Sequence, residues 1–340
     1  MREKTEQHHP WHKALQTTIL AWYKANARSF FWRENNRNNE NTIDSNLAQR
    51  PDPYIVLVSE TMLQQTQTQR VQEKLPPFLE QFPSIEVLST ATNADIIKAW
   101  EGMGYNSRAL RLRDCAKALM EQYSGIIPSD VQNLRALPGV GPYTASAIAA
   151  FAFHQNVAVV DVNIRRVYSR LLQPMPTTTD TLPEAAISTF ASEIFPQGRS
   201  SEWHQAVMDI GATLCTARAP KCVSCPLQHL CASAGRMTEG IRTKKVEPSH
   251  EGIPNRIWRG RVVQILRGLP SEQWISRTEL LHQLFSETLF PTSERETWCA
   301  ELLCGLERDQ IIEIQQASPQ NRNRTKKAHS LVELRIRLAF

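Results

Sequence analysis

Apolar residues recur at helical spacing from the start of the chain: Trp11, Leu15, Ile19, Trp22 and Tyr23 mark one face of a helix from about Trp11 to Asn26. An Asn-rich stretch from Glu34 to Asp52, closed by Pro51 and Pro53, then reads as a surface loop. From Pro53 to about Pro196 the pattern is helix after helix, punctuated by a cap-plus-first-turn signal at Asp52-Pro53 and by two apparent capping boxes, Thr92 with Asp95 and Ser129 with Gln132. The apolar run Val157 to Val160 is short and isolated, which favours a segment flanking a helix over a strand. Polar, Pro-containing residues 238–255 predict a linker. Beyond it lie helical patterns at Gly260 to Arg267, Arg277 to Leu284 and Trp298 to Arg308. Two alternating segments follow, Ile311 to Ile314 and Leu331 to Ile336, around the basic turn Asn321 to Lys327. Three helices followed by a hairpin is the order of a winged-helix domain, a fold that reads DNA or contacts protein. The expected fold class is all-α with a small C-terminal α+β domain. Its expected parts are 1–52 (first helix and loop), 53–195 (helical body), 196–237 (a cysteine-bearing region), 238–255 (linker) and 256–340 (winged-helix-like).

A chain of 340 residues, 41% of them hydrophobic, is long enough for one large or two to three ordinary domains, each with its own buried core. No stretch approaches the roughly 18 uninterrupted apolar residues that a membrane span requires, so a cytoplasmic location without membrane contact is expected. The balance of 39 Lys and Arg against 34 Asp and Glu leaves a formal charge of +5 and favours a polyanionic partner. Of the seven cysteines, Cys215, Cys222, Cys225 and Cys231 fall in one 17-residue window. Without a secretion signal, such clustering reads as a metal site and not a disulfide framework.

The spacing C-x6-C-x2-C-x5-C brings four thiolates within reach of one centre. Spacing alone leaves zinc and an iron-sulfur cluster equally open. Arg218 and Lys221 inside the window present positive charge suited to a phosphate backbone. A second motif, Leu134-Arg-Ala-Leu-Pro-Gly-Val-Gly-Pro-Tyr-Thr-Ala-Ser-Ala-Ile148, sets Gly139, Val140 and Gly141 as a tight turn before a small-residue helix. Backbone amides at such a turn face outward and suit an anion, although many Gly-x-Gly turns only connect helices. Two carboxylates interrupt apolar runs. Glu60 lies in Tyr54-Ile-Val-Leu-Val-Ser-Glu-Thr-Met-Leu-Gln-Gln-Thr66, where burial would keep it protonated near neutrality as a general acid, whereas a lone helical Glu is usually solvated. Asp161, in Val159-Val-Asp-Val-Asn-Ile-Arg-Arg166, suits a helix N-cap, a role compatible with catalysis.

These motifs occur in the order found in helix-hairpin-helix DNA glycosylases of the endonuclease III-like superfamily, and the chain resembles the MutY-type adenine glycosylases over roughly residues 11 to 235. The resemblance implies a six-helix barrel with a helix-hairpin-helix over 53–195 and a [4Fe-4S] cluster held by Cys215, Cys222, Cys225 and Cys231. It implies further that Glu60 protonates adenine, that Gln65 and Thr66 enter the duplex, and that Tyr105, in Gly102-Met-Gly-Tyr105, intercalates. Asp161 and Asn163 match the catalytic Asp and its neighbouring Asn, with Val162 where Gly is common. Arg28, Trp32, Arg33 and Gln205 match positions lining the adenine pocket, with Phe31 in place of a usual Pro. Tyr143 stands where lyase-type relatives carry their Schiff-base lysine, so the expected enzyme is a monofunctional glycosylase. Asn106 replaces a frequent second Tyr, and the residues after the linker do not resemble the Nudix-like domain of longer relatives.

The implied reaction is hydrolysis of the N-glycosidic bond of a flipped deoxyadenosine. Glu60 serves as acid and then base, Asp161 stabilises or traps the oxocarbenium-like sugar, and Tyr143 and Asn163 orient them. The implied partner is double-stranded DNA with a mismatch or oxidised base, bound by a nucleoid-associated monomer. A thymine or uracil mismatch glycosylase and a noncatalytic redox-sensing DNA-binding protein are the alternatives.

Overall fold

The computed structural model describes residues 10–34, 50–240, 247–270, 273–285, 293–316 and 334–339. Most of the Asn-rich loop and the basic turn Asn321 to Lys327 lie outside the described residues. The first helices in chain order are α1 Pro10–Asn26, α2 Pro53–Leu63, α3 Thr68–Gln81, α4 Ile85–Thr90, α5 Asn93–Ala99 and α6 Ser107–Tyr123. They are followed by α7 Val131–Ala136, α8 Pro142–Phe151, α9 Val162–Leu172, α10 Glu184–Ile194 and α11 Ser200–Thr213. The C-terminal part adds β1 Ser249–His250, β2 Ile253–Pro254, α12 Asn255–Arg267, β3 Ile275–Ser276, α13 Arg277–Phe285, α14 Ser293–Arg308, β4 Ile312–Gln316 and β5 Leu334–Leu338. Internal contacts group residues 1–61 with 126–244 as one unit and 62–125 with 245–340 as another. This grouping cuts across the 53–195 run that helical patterning alone suggests as a single body.

In the first unit, Leu15 and Ile19 of α1 are fully buried, as are Trp203 of α11 and Tyr168 of α9. Burying the Trp203 indole requires a partner for its N–H, and it donates to the Tyr168 hydroxyl at 2.8 Å. α8 is buried almost all round, and its alanines (145, 147, 149 and 150) let neighbouring backbones approach closely. α7 starts one residue later than the capping-box reading expects. Asp130, not Ser129, is the N-cap, and its carboxylate accepts from the Asn133 amide at 2.9 Å. Thr92 and Asp95, in the second unit, form the reciprocal box as expected.

The second unit packs α3 to α6 around Phe78, Leu88, Trp100 and Leu119. Its C-terminal part carries the antiparallel sheet β3-β5-β4, with Ile275 opposite Ile336 and Ile312 opposite Leu338. Helix, strand, two helices and a hairpin is the winged-helix order. Buried Trp258 joins half-buried Phe285, Trp298 and His250 in an aromatic cluster, the last stacked on Trp298 at 4.1 Å. Part of the expected linker is a hairpin, because Glu251 and Gly252 both take positive φ (50° and 75°), the geometry of a two-residue turn joining β1 to β2. α12 and α14 begin five residues earlier than their apolar stripes suggest, at Asn255 and Ser293.

Candidate active site

Glu60 sits on α2 among buried Val56, Leu57 and Met62 and is itself buried. Desolvation raises its carboxyl to about 7; a hydrogen bond from Tyr143 and the charge of Arg33 oppose the rise, and Asp161 adds to it. The Tyr143 hydroxyl donates to Glu60 Oε2 at 2.8 Å. Tyr143 is reached because α8 starts immediately before it, with Gly141 as N-cap and Pro142 at the first position. Asp161 is the N-cap of α9: its Oδ1 accepts from the Ile164 amide at 2.7 Å, and Asn163 Nδ2 donates to Oδ2 at 2.6 Å. Burial raises the Asp161 carboxyl, while the hydrogen bonds from Ile164 and Asn163 and the charge of Arg166 hold it down. Burial thus pushes both carboxyls up, and the hydrogen bonds to Asp161 offset part of its rise. Val162 points outward at 75% exposure, so the departure from Gly crowds nothing.

Arg28 and Arg33 converge on Asp209 of α11, which is completely buried. Arg28 donates through its amide (3.0 Å) and Nε (2.8 Å), and Arg33 through both terminal nitrogens (3.1 Å each). The sequence reading missed Asp209. The available signal was an acidic residue on the apolar helix that carries Gln205 four residues earlier. Trp32 is buried and stacked on Phe30 at 4.8 Å and 4°, and Phe31 stands outside at 39% exposure against the Trp32 edge. Gln205 accepts from the Tyr23 hydroxyl at 2.9 Å. Tyr23, Arg33, His154, Ser201 and Gln205 line a cavity of about 320 Å³, of which Arg28 and Trp32 are not lining residues.

The four clustered cysteines carry no disulfide and are half-buried. Among the described residues, no three His, Cys, Asp or Glu side chains are placed to share a single metal ion. A tetrahedral zinc with Zn–S near 2.3 Å would need its sulfurs roughly 4 Å apart. The thiols nonetheless sense one another: burial pushes Cys225 up to about 11, with Cys215, Cys231 and Cys222 adding to the rise. α9 holds this loop. Arg170 donates to Cys215 Sγ at 3.4 Å and to the Thr216 carbonyl at 2.8 Å, and Arg166 joins the Cys215 carbonyl (2.7 Å) to Asn163 Oδ1 (2.8 Å).

The description HhH-GPD superfamily base excision DNA repair protein matches residues 58–191, and the iron-sulfur binding domain of endonuclease III matches residues 215–231. An adenine DNA glycosylase of Mycobacterium tuberculosis is 34% identical over 266 residues, covering 78% of this chain and 81% of that protein. One from Mus musculus is 36% identical over 228 residues, covering 67% of this chain and 43% of that protein. The chain belongs to the adenine DNA glycosylase family. As a member it is an N-glycosyl hydrolase of base excision repair and carries a [4Fe-4S] cluster, whose binding domain matches the segment that holds the four clustered cysteines. Among solved structures it is similar to a thermostable thymine-DNA glycosylase (TM-score 0.56, 27% identity, 65% of this chain and 95% of that one). A non-covalent endonuclease III–DNA complex shares the fold (TM-score 0.53, 21% identity, 66% and 96%). The higher identity to adenine glycosylases disfavours the thymine or uracil alternative, and the family membership disfavours the noncatalytic one.

The glycosylase hairpin turns at Gly139, whose φ of 75° suits glycine, and no side chain caps the first amides of α8. Gly211 is a second positional requirement that the sequence reading missed. A Cβ there would lie 2.8 Å from Cβ of Asn163, so only glycine lets α11 pass so close to the N-terminus of α9. Gln65, Thr66 and Tyr105 belong to the second unit. Gln65 and Tyr105 both take positive φ (56° and 45°), and Tyr105 is 56% exposed. Buried Arg108, also missed, ties the two loops together: its guanidinium donates to the Met62, Gln64, Met103 and Gly104 carbonyls and to Thr66 Oγ1 (3.0 Å).

Proposed function

We propose that this adenine glycosylase hydrolyses the N-glycosidic bond of an adenine mispaired with guanine or 8-oxoguanine in duplex DNA, acting as a monomer associated with the nucleoid. The observation that carries the chemistry is Glu60, a buried carboxyl raised to about 7 and hydrogen-bonded to Tyr143 at 2.8 Å. A carboxylic acid still half protonated at neutral pH can give its proton to adenine N7 and turn the base into a better leaving group. Asp161, oriented by the Ile164 amide and Asn163, supplies the group that answers the positive charge developing on the sugar. Once deprotonated, Glu60 activates the water. Tyr143 orients Glu60 and Asn163 orients Asp161. Having no amine, Tyr143 leaves the site without a Schiff-base nucleophile, which makes the enzyme monofunctional.

Arg28, Trp32, Arg33 and Gln205 frame the base, with Asp209 fixing both arginines. The Gly139-Val140-Gly141 turn and exposed Arg218 and Lys221 hold phosphates without reading sequence. Gln65 and Thr66 enter beside the mispair and Tyr105 wedges into the stack. The described residues from 255 to 339 follow a winged-helix order. Single-turnover cleavage of adenine opposite 8-oxoguanine, guanine, cytosine and thymine tests the reading. Fast release opposite the first two is expected, and release independent of the opposing base would overturn it.

A further inference from the structure

A winged-helix domain that reads DNA inserts the second helix of its helix-turn-helix into the major groove. Here that helix is α14, and it is acidic, with Glu294, Glu296, Glu301 and Glu307 against Arg295 and Arg308. Arg295 is taken up by Glu251, Arg256 by Glu247 at 3.0 Å, and Arg259 by Asp309. Arg261 lies over the Trp258 ring at 4.6 Å. Arg256, Arg259, Arg261 and Arg295 are thus engaged within the domain, and the helix that would enter a groove carries more acidic than basic residues.

The domain instead grips α5 and the turn that follows it. The Asn93 side chain, at the start of α5, donates to the Gln310 carbonyl at 3.0 Å. At the other end Arg267, the last residue of α12, donates through Nε to the Ile97 carbonyl at 3.0 Å and through Nη2 to Asn106 Oδ1 at 3.1 Å. Gln264, one turn earlier, donates to Glu101 at 2.9 Å. A cation there also suits the C-terminus of α5, where carbonyls lack helical partners. Between Ile97 and Asn106 lie Gly102 and Gly104, both at positive φ, and Tyr105, whose own φ of 45° is one a non-glycine residue rarely adopts. Asn106 is the N-cap of α6, yet its side chain makes no cap hydrogen bond, although capping is what Asn ordinarily does there. Its oxygen serves Arg267 instead.

We infer that the C-terminal domain is a brace for the Tyr105 turn, and that Arg267 is a positioning residue that clamps α5 and Asn106 so that Tyr105 is held ready to enter a duplex. The inference rests on the reading of Tyr105 as the wedge. Arg108 fixes the turn from within, and Arg267 fixes it from the added domain.

The test uses the full chain and a mispaired duplex with 2-aminopurine beside the adenine, whose fluorescence rises when the wedge unstacks it. Arg267→Ala and Asn106→Ala should each cut the fluorescence rise and the single-turnover rate about tenfold, and the double variant should be no worse than either single one, because both remove the same bond. Asn106→Asp, which keeps the acceptor, should behave as wild type. Melting temperature and cluster absorbance identify any variant that fails to fold; if Arg267→Ala does, Asn106→Ala against Asn106→Asp decides. Wild-type fluorescence and rate in Asn106→Ala, or additive losses in the double variant, would overturn the brace. Tyr105→Ala serves as the separate control: an undiminished rise there would overturn the wedge reading itself.

Discussion

A buried carboxyl at about 7 makes Glu60 useful and also makes it a burden. Glu60→Gln should lower single-turnover base release by about 10²- to 10⁴-fold, the range for loss of a general acid, with duplex affinity kept within a few-fold. For the wild type, release should be steady at acidic pH and fall about tenfold per unit above pH 7, as the acid form is lost. The stability effect runs in the same direction. Because the folded pKa lies above the ordinary carboxylate value of 4.5, folding is favoured fully below that value, and the advantage is lost as pH rises through 7. By pH 8 the buried anion costs roughly 3 kcal/mol, so Glu60→Gln should melt higher than wild type at pH 8 and equally at pH 4.5. Equal melting at both values would show that Glu60 is solvated. Glu60, Asp161 and the cysteines were legible in the sequence because each violates its local pattern. Asp209 was not, because the arginines it binds lie 176 and 181 residues away.

Among the elements, α9 carries the most: Asp161 caps it, Asn163 lies in its first turn, and Arg166 and Arg170 extend from it to the cluster loop. Its position depends on Gly211 of the neighbouring helix. Gly211→Ala should lower the melting temperature and the excision rate together, by an amount typical of overpacking, about 1–3 kcal/mol in stability. Unchanged values of both would show that α9 can shift freely. Helices of this kind were readable from caps and apolar stripes, and the Thr92 box shows that such signals can be accurate. The short strands were not: β1, β2 and β3 have two residues each, too few for an alternating pattern to emerge. The early start of α14 falls on a polar turn, Ser293 to Thr297, that extends no apolar stripe.

For the whole molecule, a charge of +5 spread over 340 residues favours DNA without locating it. Arg218 and Lys221 of the cluster loop are exposed and make the more specific claim. Lys221→Ala should reduce the slope of log affinity against log salt by about 0.9, one phosphate contact, while the cluster absorbance stays intact. An unchanged slope would remove the loop from the interface. The helical architecture and cluster were legible because local periodicity and close spacing encode them. The division into two discontinuous units was not, since it is made by contacts between segments far apart in sequence. The central claim is that Glu60, Tyr143 and Asp161 perform hydrolysis, and the direct measurement is to identify the base released from an adenine mismatch while following the strand. Free adenine over an intact strand that breaks only on alkali treatment is expected, with both signals lost in Glu60→Gln. A strand nicked without alkali, or full adenine release by Glu60→Gln, would contradict it.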